Sequence, residues 1–439
     1  MARPMSVTIS LLVIASVALL LVAETLPAAA QERSAPTTSN RTSVEPTRKV
    51  GEGERDTLTG DWGGSRTWLR EHGITIAPRV TQFYQGMPAG DGDHSFEYGG
   101  KADLLLNANM AKLGFWDGLS MTVHAEENFG HSVNGFGGTI APVNIALLFP
   151  GIEGPDRYDL SSVYLGQKLG DSVSLLFGKI NMIDLAASKP FMGGAGIDSF
   201  WNVVFAAPPS GLVPPYLFGT ILTVRTKPAT FGLWVYDPNS MVNKSPFDDP
   251  FANGITIRGN VDFPVTIAGR KGHQGFVGLW SNEPGNDLDL SDEILLPPFP
   301  STLRQNNRRH YFAYVFDQYL YQSEENPKEG IGLFGQFGIS DGNPTRLYWL
   351  AFAGVGGTGL IPGRSQDNWG FGYYYAVPSP DLRESLAPIE DIRIEQGVEI
   401  FYNFALTQWL VLGLDLQIIQ PSLADETAVF TGLRTVTRF

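Results

Sequence analysis

Cysteine is absent from this chain of 439 residues, and its six histidines form no cluster with the spacing of metal ligands. Without cysteine there is no disulfide, no zinc–thiolate centre and no cysteine nucleophile. The absence suits an oxidising periplasmic route, in which a stray thiol is a liability. The sequence therefore predicts neither a metal site nor a cofactor.

Basic residues are scarce, because 31 lysines and arginines stand against 45 aspartates and glutamates and give a formal net charge of −14. Proteins that bind nucleic acid usually carry a basic face, so the composition argues against that class. The negative charge either biases a pore toward cations or lies on exposed loops, and both interpretations are open at this stage.

Long apolar runs are nearly absent too. The single one extends from Val7 to Ala23, and Ala28 and Ala30 follow it. The Ala-x-Ala pattern predicts a signal peptide over residues 1–30; the alternative is one anchoring helix, because the run is near the lower limit for spanning. Residues 31–57 are rich in Ser, Thr, Pro and charge, which predicts a flexible N-terminal segment.

Alternation of apolar and polar residues is the main pattern that the sequence contains. From Leu410 to Ile418 every second residue is leucine or isoleucine, and Asp415 and Gln417 point to the opposite face. Such segments have roughly 10–13 residues, longer than the usual strand of about 5–6 and long enough to cross a bilayer at a tilt. One apolar and one polar face fits lipid outside and water inside, and the alternative is a strand of a soluble sandwich.

About sixteen such strands are predicted, and an even count is typical of single-chain bacterial barrels. They begin near Ile74, Glu97, Leu119, Tyr158, Ser172, Tyr216, Thr230, Asn253, Gln274, Arg309, Gly330, Thr345, Asp367, Arg393, Gln408 and Thr427. The predicted fold class is all-β, a sixteen-stranded antiparallel transmembrane β-barrel over residues 74–439. A short helical lead-in is expected at residues 58–73, with Ser65 as its cap and Gly73 as its left-handed end.

The lengths of the connections test this count. If both termini are periplasmic, links after even-numbered strands should be short and links after odd-numbered strands should be longer. Most links follow this rule, but three do not. Residues 341–344 are few for a loop, whereas residues 262–274 and 355–366 are many for turns.

The lead-in reads Leu-Thr-Gly-Asp-Trp-Gly-Gly-Ser-Arg from Leu58, and it resembles the opening of the OprB-type carbohydrate-selective porins. Segments similar to that family's later parts are Leu360-Ile-Pro-Gly-Arg, Glu395-Gln-Gly-Val-Glu-Ile-Phe-Tyr-Asn, Trp409-Leu, Asp415-Leu-Gln and Gly432-Leu-Arg. The chain departs from the family pattern at Gly413-Leu414, where a proline is expected, and at Thr437, where an aromatic residue is common. The resemblance implies a Gram-negative outer-membrane barrel that passes sugars by diffusion and assembles as a homotrimer.

The link between the fifth and sixth strands, residues 182–215, is too long for a simple turn. It carries four aromatic residues between Phe191 and Phe205, so it has apolar side chains to bury. We expect it to fold into the lumen and narrow it, with Asp198 and Trp201 meeting a solute. The alternative is packing over the outer rim or at a subunit contact.

Sugar recognition needs planar hydrogen-bonding groups and flat apolar faces, which carboxylates, guanidinium groups, amides and aromatic rings supply. Besides the two loop residues, the candidates on the lumen side are Arg79, Lys101, Asp103, His124, Glu126, Arg393, Glu395, Glu399, Asp415, Gln417, Arg434 and Arg438. Both signs of charge occur, which suits a transverse polar field over a neutral solute better than an ion filter. For each residue the alternative is a wetted wall position or a salt bridge.

Two short motifs of enzymes occur, and neither has the required context. Gly354-Val-Gly-Gly-Thr-Gly matches a dinucleotide-binding loop, but Pro362 follows too closely for the helix that such a loop needs. Ser340 lies in a Gly-x-Ser-x-Gly segment, but Pro344 leads into another strand instead of a helix.

A third enzymatic reading rests on His124 and Glu126, which share one strand face in the manner of a barrel hydrolase. We predict that the chain is not an enzyme. The other open alternatives are a porin for other solutes and an outer-membrane barrel without an open channel.

Overall fold

The computed structural model describes residues 55–290, 304–324, 326, 329–359 and 361–439. The predicted signal peptide and most of the predicted flexible segment lie outside these residues. Within the described part of the chain, no helix combines the length and the apolar character that crossing a membrane requires.

Of the eighteen strands in the described residues, sixteen close into one antiparallel barrel. In chain order the strands are β1 (Ile74–Ala89), β2 (Phe96–Asn109), β3 (Leu119–Gly130), β4 (Tyr158–Leu169), β5 (Val173–Asn181), β6 (Tyr216–Arg225), β7 (Thr230–Tyr236), β8 (Thr256–Ile267), β9 (Arg270–Ser281), β10 (Gly285–Asn286), β11 (Gln305–Asn306), β12 (Arg309–Gln322), β13 (Gly330–Ser340), β14 (Leu347–Thr358), β15 (Asn368–Pro378), β16 (Glu395–Ala405), β17 (Leu410–Gln420) and β18 (Ala428–Arg438). The short β10 and β11 pair only with each other, and β1 pairs with both β2 and β18. The predicted fold class is therefore confirmed.

Short helices occur before the barrel and in its loops. They are α1 (Ser65–Glu71), α2 (Met182–Ala186), α3 (Val203–Ala206) and α4 (Pro380–Leu386), with 3-10 turns at Trp62–Gly64, Met110–Leu113, Phe136–Gly138, Ile145–Leu147, Gly154–Arg157 and Gly194–Gly196. The predicted lead-in helix is present, and Gly73 ends it with φ of 90°. The predicted cap is wrong, because Ser65 is the first helical residue. The residue at the cap position is Gly64, which has a left-handed conformation and no side chain that could accept a hydrogen bond from the helix amides.

Side chains alternate between the two faces of the wall as the sequence pattern predicts. In β16, Glu395, Glu399 and Asn403 are buried on the lumen side, whereas Ile400 is exposed on the outer side. A strand of period two places every second residue on the same face, so lipid-facing and lumen-facing residues separate cleanly.

Of the two long turns expected from the sequence, residues 262–274 are largely strand, whereas the link after β14 is long as expected, because β14 ends at Thr358 and β15 begins only at Asn368. The β8–β9 ladder continues to the pair Ile267 and Arg270, which leaves only Ala268 and Gly269 between the strands. The ladder between β8 and β9 extends this far because the backbone groups of the two strands continue to pair with each other, although several of the residues there are polar. The loop at residues 341–346 is short, as the sequence indicates.

The seam between β1 and β18 is held by the lead-in at the end of the barrel where the lead-in and Phe439 lie, called the periplasmic end here in keeping with the orientation expected from the sequence. The Leu58 amide donates to the Arg438 carbonyl at 2.9 Å, and the Arg66 guanidinium donates to the main-chain oxygen of Phe439 at 2.5 Å. The ring of Trp62 lies 4.2 Å from the same guanidinium carbon, so a cation–π contact supports the position of Arg66. The lead-in therefore belongs to the closure of the barrel.

The extracellular end of the same seam is held by Asp91 in the β1–β2 loop. Its carboxylate accepts hydrogen bonds from the amides of Glu426 and Asp425, at 3.0 and 2.8 Å. These two backbone donors lower the pKa of the Asp91 carboxyl, because they stabilise its charged form.

Residues 182–215, here called the constriction loop, fold into the lumen, so the predicted inward course is confirmed and the rim alternative is wrong. Almost all of the loop beyond Phe191 is buried, and its backbone amides meet the opposite wall. The Glu399 carboxylate accepts hydrogen bonds from the amides of Trp201 (2.5 Å) and Asn202 (3.1 Å). Buried amides need such partners, so one wall carboxylate holds the loop across the barrel.

Glycines of the wall leave space for the aromatic rings of the constriction loop. A Cβ atom added at any of four wall glycines would lie only 2.2–2.8 Å from a ring atom of the loop. The pairs are Gly332 with Phe191, Gly370 with Phe200, Gly372 with Phe205 and Gly432 with Trp201. Three of these rings therefore form one apolar core with Phe334 and Phe401 of the wall, whereas Trp201 packs in a separate cluster with Phe83.

We expect Leu104→Arg to destabilise the barrel by about 2–4 kcal/mol, because an outward cation near the middle of the bilayer must leave water. Leu104 is exposed on the lipid side of β2, whereas its neighbour Leu105 faces the lumen. Leu105→Arg is the matched control and should cost clearly less. Equal losses in denaturant unfolding from vesicles would contradict the assignment of the two faces.

We expect Gly372→Val to displace the constriction loop, because its new Cβ would overlap the Phe205 ring. The measurement is cleavage of the loop by an added protease, which should become faster while the barrel keeps its heat-modifiable migration. Gly259→Val in β8 is the control, since a Cβ there meets open space. A loop that remains as protected as in the parent protein would refute the packing described above.

Candidate functional site

A cavity of about 1180 Å³ occupies the periplasmic half of the lumen. One side is the inner face of β1, β2 and β3, and the other side is the start of the constriction loop. Residues 55–57 and helix α1 border it from the periplasmic end, so part of the predicted flexible segment lines a defined space. The cavity thus lies between the wall, the constriction loop and the lead-in.

Asp198 of the constriction loop pairs with two arginines of the wall. Its Oδ1 lies 2.8 Å from Nη2 of Arg438, and its Oδ2 lies 3.7 Å from Nη1 of Arg79. The Arg79 Nε is also 3.0 Å from Oδ2 of Asp103 on β2. The side chains of Asp198 and both arginines are partly exposed to the cavity, so their hydrogen-bonding capacity is open to a solute.

His124 is held between two carboxylates at the side of the cavity. Its Nδ1 lies 2.7 Å from Oδ2 of Asp184 in α2, and its Nε2 lies 3.1 Å from Oδ1 of Asp103. The imidazole therefore links the wall to the first turn of the constriction loop. Behind it, Glu126 lies 2.5 Å from the Lys101 ammonium, and both side chains are buried.

Asp103, His124 and Glu126 place one potential ligand atom each within 4.8 Å of one another, a spacing that a metal ion would accept. The charged groups next to this cluster argue against a bound metal ion. Lys101 already pairs with Glu126, and Arg79 already pairs with Asp103, so the carboxylates have their positive partners. We assign no metal to this cluster.

Five of the candidates named from the sequence line the cavity directly: Arg79, Asp103, His124, Asp198 and Arg438. Lys101 and Glu126 lie behind them, where the Lys101 ammonium also donates to the carbonyl of Phe149 in the β3–β4 loop. Whether these groups bind a sugar stays a prediction.

The expected solute contact of Trp201 is wrong. Its side chain has no exposed surface, because the ring packs edge-on against Phe83 at 5.1 Å and lies 5.0 Å from the Arg434 guanidinium. Five other candidates, on the lumen side of β16, β17 and β18, are covered by loops in the same way. These are Glu395, Glu399, Asp415, Gln417 and Arg434.

Four of these five residues hold a loop instead of facing water, whereas the Asp415 carboxylate accepts a hydrogen bond from Gln417 on the same strand. Glu395 accepts the amides of Ile140 and Ala141 at 2.6 and 3.0 Å, and Arg434 donates to two carbonyls of the constriction loop. Arg393 precedes β16 and pairs with Asp425 at 2.8 Å at the extracellular rim, so its predicted place in the lumen is wrong.

Several lining residues escaped the sequence reasoning. Asp184 was not predicted, because it lies inside the long link between β5 and β6. A signal for it existed: Asn181 caps helix α2 by accepting a hydrogen bond from the Ile183 amide, and an acidic residue such as Asp184 is typical of the first turn of a helix. Arg66 and Arg70 of the lead-in also line the cavity. The sequence of the lead-in predicted a short helix, but it does not show which face of that helix borders the lumen.

The enzyme-like segments have structural roles here. Gly354 lies in the middle of β14, and the Ser340 hydroxyl donates to the Leu347 carbonyl at 2.7 Å within a strand-to-strand turn. Glu126 accepts from Asn181 and from the Tyr216 hydroxyl, and both His124 nitrogens have carboxylate partners. These groups are therefore engaged in contacts that hold the barrel and its loops.

Comparison with known proteins agrees with this architecture. The model of the OprB family, described as carbohydrate-selective porins, matches residues 93–439. The fold is similar to a high-pH structure of Pseudomonas putida OprB, with TM-score 0.75, 19% identity and coverage of 88% of this chain and 99% of that chain. The low-pH structure of the same protein has TM-score 0.53 at 17% identity, with the same coverage of both chains.

No curated protein sequence matches this chain. The solved structures, at these identities, support the fold. The family match extends over more than half of the sequence and includes all strands from β2 onward. The chain belongs to the OprB family of carbohydrate-selective porins.

Proposed function

We propose that small neutral sugars cross the outer membrane of a Gram-negative bacterium through this barrel by passive diffusion, and that selection occurs at the cavity beside the constriction loop. The observation that carries the proposal is the set of paired, partly exposed charges formed by Asp198 with Arg79 and Arg438. Opposite charges from a loop and from the wall face the same narrow space.

Such a site suits a neutral polyhydroxyl solute for an electrostatic reason. Each carboxylate accepts hydrogen bonds and each guanidinium donates them. A pair of sugar hydroxyls can therefore replace its hydrogen bonds to water by hydrogen bonds to both kinds of group. The ion pairs cancel much of each other's charge, which leaves neither a cation filter nor an anion filter. Among described residues, the aromatic lining of the cavity consists of Tyr164 and Phe439, so hydrogen bonding, rather than ring stacking, supports recognition.

The homotrimer that the family resemblance implies stays a prediction. Cross-linking of the protein in native membranes would test it, because a trimer and a monomer differ threefold in mass. The function proposed here requires only one complete barrel.

The decisive experiment is planar-bilayer conductance of the refolded protein, titrated with glucose, maltose and a charged sugar acid. We expect stepwise channels whose current falls as neutral sugar is added. Open channels that are indifferent to every sugar would favour a general porin. Absence of channels from a correctly folded sample would favour a barrel that binds without conducting.

We expect Asp198→Asn to weaken sugar block several-fold and to raise selectivity for anions, because Arg79 and Arg438 lose their common carboxylate. Asp91→Asn is the control, since it removes one acidic charge at the extracellular rim, far from the cavity. Reversal potentials in a salt gradient measure the selectivity. The same change in both variants would mean that net charge alone sets the preference.

We expect Glu399→Ala to increase the conductance and its noise, because two buried amides of the constriction loop lose their acceptor. Removing one partner of a buried hydrogen bond costs about 1–3 kcal/mol, enough to populate displaced loop states. Glu399→Gln keeps one acceptor oxygen and should show a smaller effect. An unchanged single-channel current in the alanine variant would show that other contacts suffice to hold the loop.

A further inference from the structure

The constriction loop begins with helix α2, and His124 of β3 connects that helix to the wall. The Asp184 carboxylate of α2 lies 2.7 Å from Nδ1 of His124. On its other side α2 packs into the apolar core through Met182, Ile183 and Ala186. In the described part of the chain, no other side chain forms a hydrogen bond or an ion pair with Asp184. The imidazole is therefore the polar anchor of the first helix of the loop.

The imidazole meets a second carboxylate from the opposite side. Its Nε2 lies 3.1 Å from Oδ1 of Asp103 on β2, and 3% of the His124 side chain is exposed. Asp103 has a further partner, because Nε of Arg79 lies 3.0 Å from its other oxygen. The Asp184 side chain is 35% exposed, whereas that of Asp103 is 2% exposed. Of the two carboxylates, Asp184 is therefore the one that water can solvate.

The charges around the imidazole balance when it carries a proton. The titratable groups of this cluster, from β1, β2, β3, β4, β6 and the loop, are Arg79, Lys101, Asp103, Glu126, Tyr164, Tyr216 and Asp184. Its three carboxylates face two cations, and Asp198 next to Arg79 has Arg438 as its own partner. The cluster therefore needs one more positive charge, which an imidazolium supplies.

A neutral imidazole cannot serve both carboxylates. It carries one N–H, so its other nitrogen presents a lone pair, whereas the imidazolium donates from both nitrogens. A buried carboxylate that faces a lone pair has lost its donor, which is costly away from water. Asp103 keeps Arg79 in that case, whereas Asp184 is exposed enough to turn to water. Loss of the proton therefore breaks the contact between the wall and the loop.

We propose that His124 is a positioning residue for the solute path: its protonated imidazole latches the first helix of the constriction loop to the wall and so sets the width of the cavity. As the pH rises and the proton is lost, Asp184 is released and the cavity widens. The effect on sugar passage rests on the function proposed above, whereas the effect on the position of the loop does not.

The released part is the start of the constriction loop. Asp184, Leu185 and Ser188 border the cavity from the loop side, so a shift of α2 changes the width of the cavity directly. The later part of the loop stays tied to the opposite wall, because Glu399 accepts two of its backbone amides. The latch therefore acts on one side of the loop, where the solute passes.

The test is the distance across the cavity, measured by electron paramagnetic resonance between two nitroxide labels. The chain has no cysteine, so Ser188→Cys in the loop and Asn107→Cys on β2 provide two unique sites that border the cavity from opposite sides. We expect a short distance at about pH 5 and a longer, broader distribution at about pH 10, a range that brackets the titration of histidine. Asp184→Ala should give the long distribution throughout, and His124→Gln should give a distribution that does not change with pH.

His273→Gln is the matched control, because His273 also pairs with a carboxylate, Asp317 at 3.0 Å, but lies on β9 across the barrel from β1. It should keep the response of the parent protein to pH. In planar bilayers, the parent and this control should conduct more as the pH rises, and their half-blocking sugar concentration should rise several-fold. His124→Gln should lose both changes.

A label distance that is independent of pH in the parent protein would overturn the proposal. So would a His124→Gln variant that follows the parent, since another group would then be responsible. If the distance responds to pH as expected but no sugar blocks the channel at any pH, the latch is supported and the function proposed above fails. Heat-modifiable migration establishes that each variant is folded.

Discussion

The hydrogen bonds from loop amides to the two glutamates of β16 are the contacts on which the interior of this barrel depends. An amide that is buried between a loop and the wall has no water to bind, so a carboxylate that accepts its hydrogen bond fixes its position. Glu399 receives two consecutive amides of the constriction loop, and Glu395 receives two of the β3–β4 loop. With these loops in place, a cavity remains beside β1, β2 and β3.

The two sides of the lumen consequently differ in chemistry. Phe191, Phe200 and Phe205 of the loop pack against glycines and phenylalanines of β13 to β16, and Trp201 packs against Gly432 of β18. Toward β1 to β3 it presents Asp184 and Asp198 to histidine and arginine. The same loop therefore closes one half of the barrel with apolar contacts and equips the other half with charges.

Period-two alternation is a local property, and this explains how far the sequence could be interpreted. It identified sixteen strands, with starts within a few residues of those observed, and it placed Glu399 and Asp415 on the lumen side. It could not show that a loop covers them, because that depends on residues nearly 200 positions earlier. The prediction for Trp201 was wrong for the same reason. The sequence of a loop does not show whether its aromatic residue contacts a solute or packs against a glycine of the wall. A signal existed in Gly370 and Gly372, which interrupt the lumen face of β15, but only the structure pairs them with Phe200 and Phe205.

Arg79 and Arg438 lie directly opposite each other where the first and the last strands of the barrel meet. Like charges in such positions repel, and Asp198 lies close to both of them. The carboxylate that lines the cavity therefore also relieves repulsion at the closing joint of the barrel. A chain whose last strand has not yet docked lacks Arg438 at this joint, so the set of two arginines around one aspartate is complete only when the first and last strands have paired.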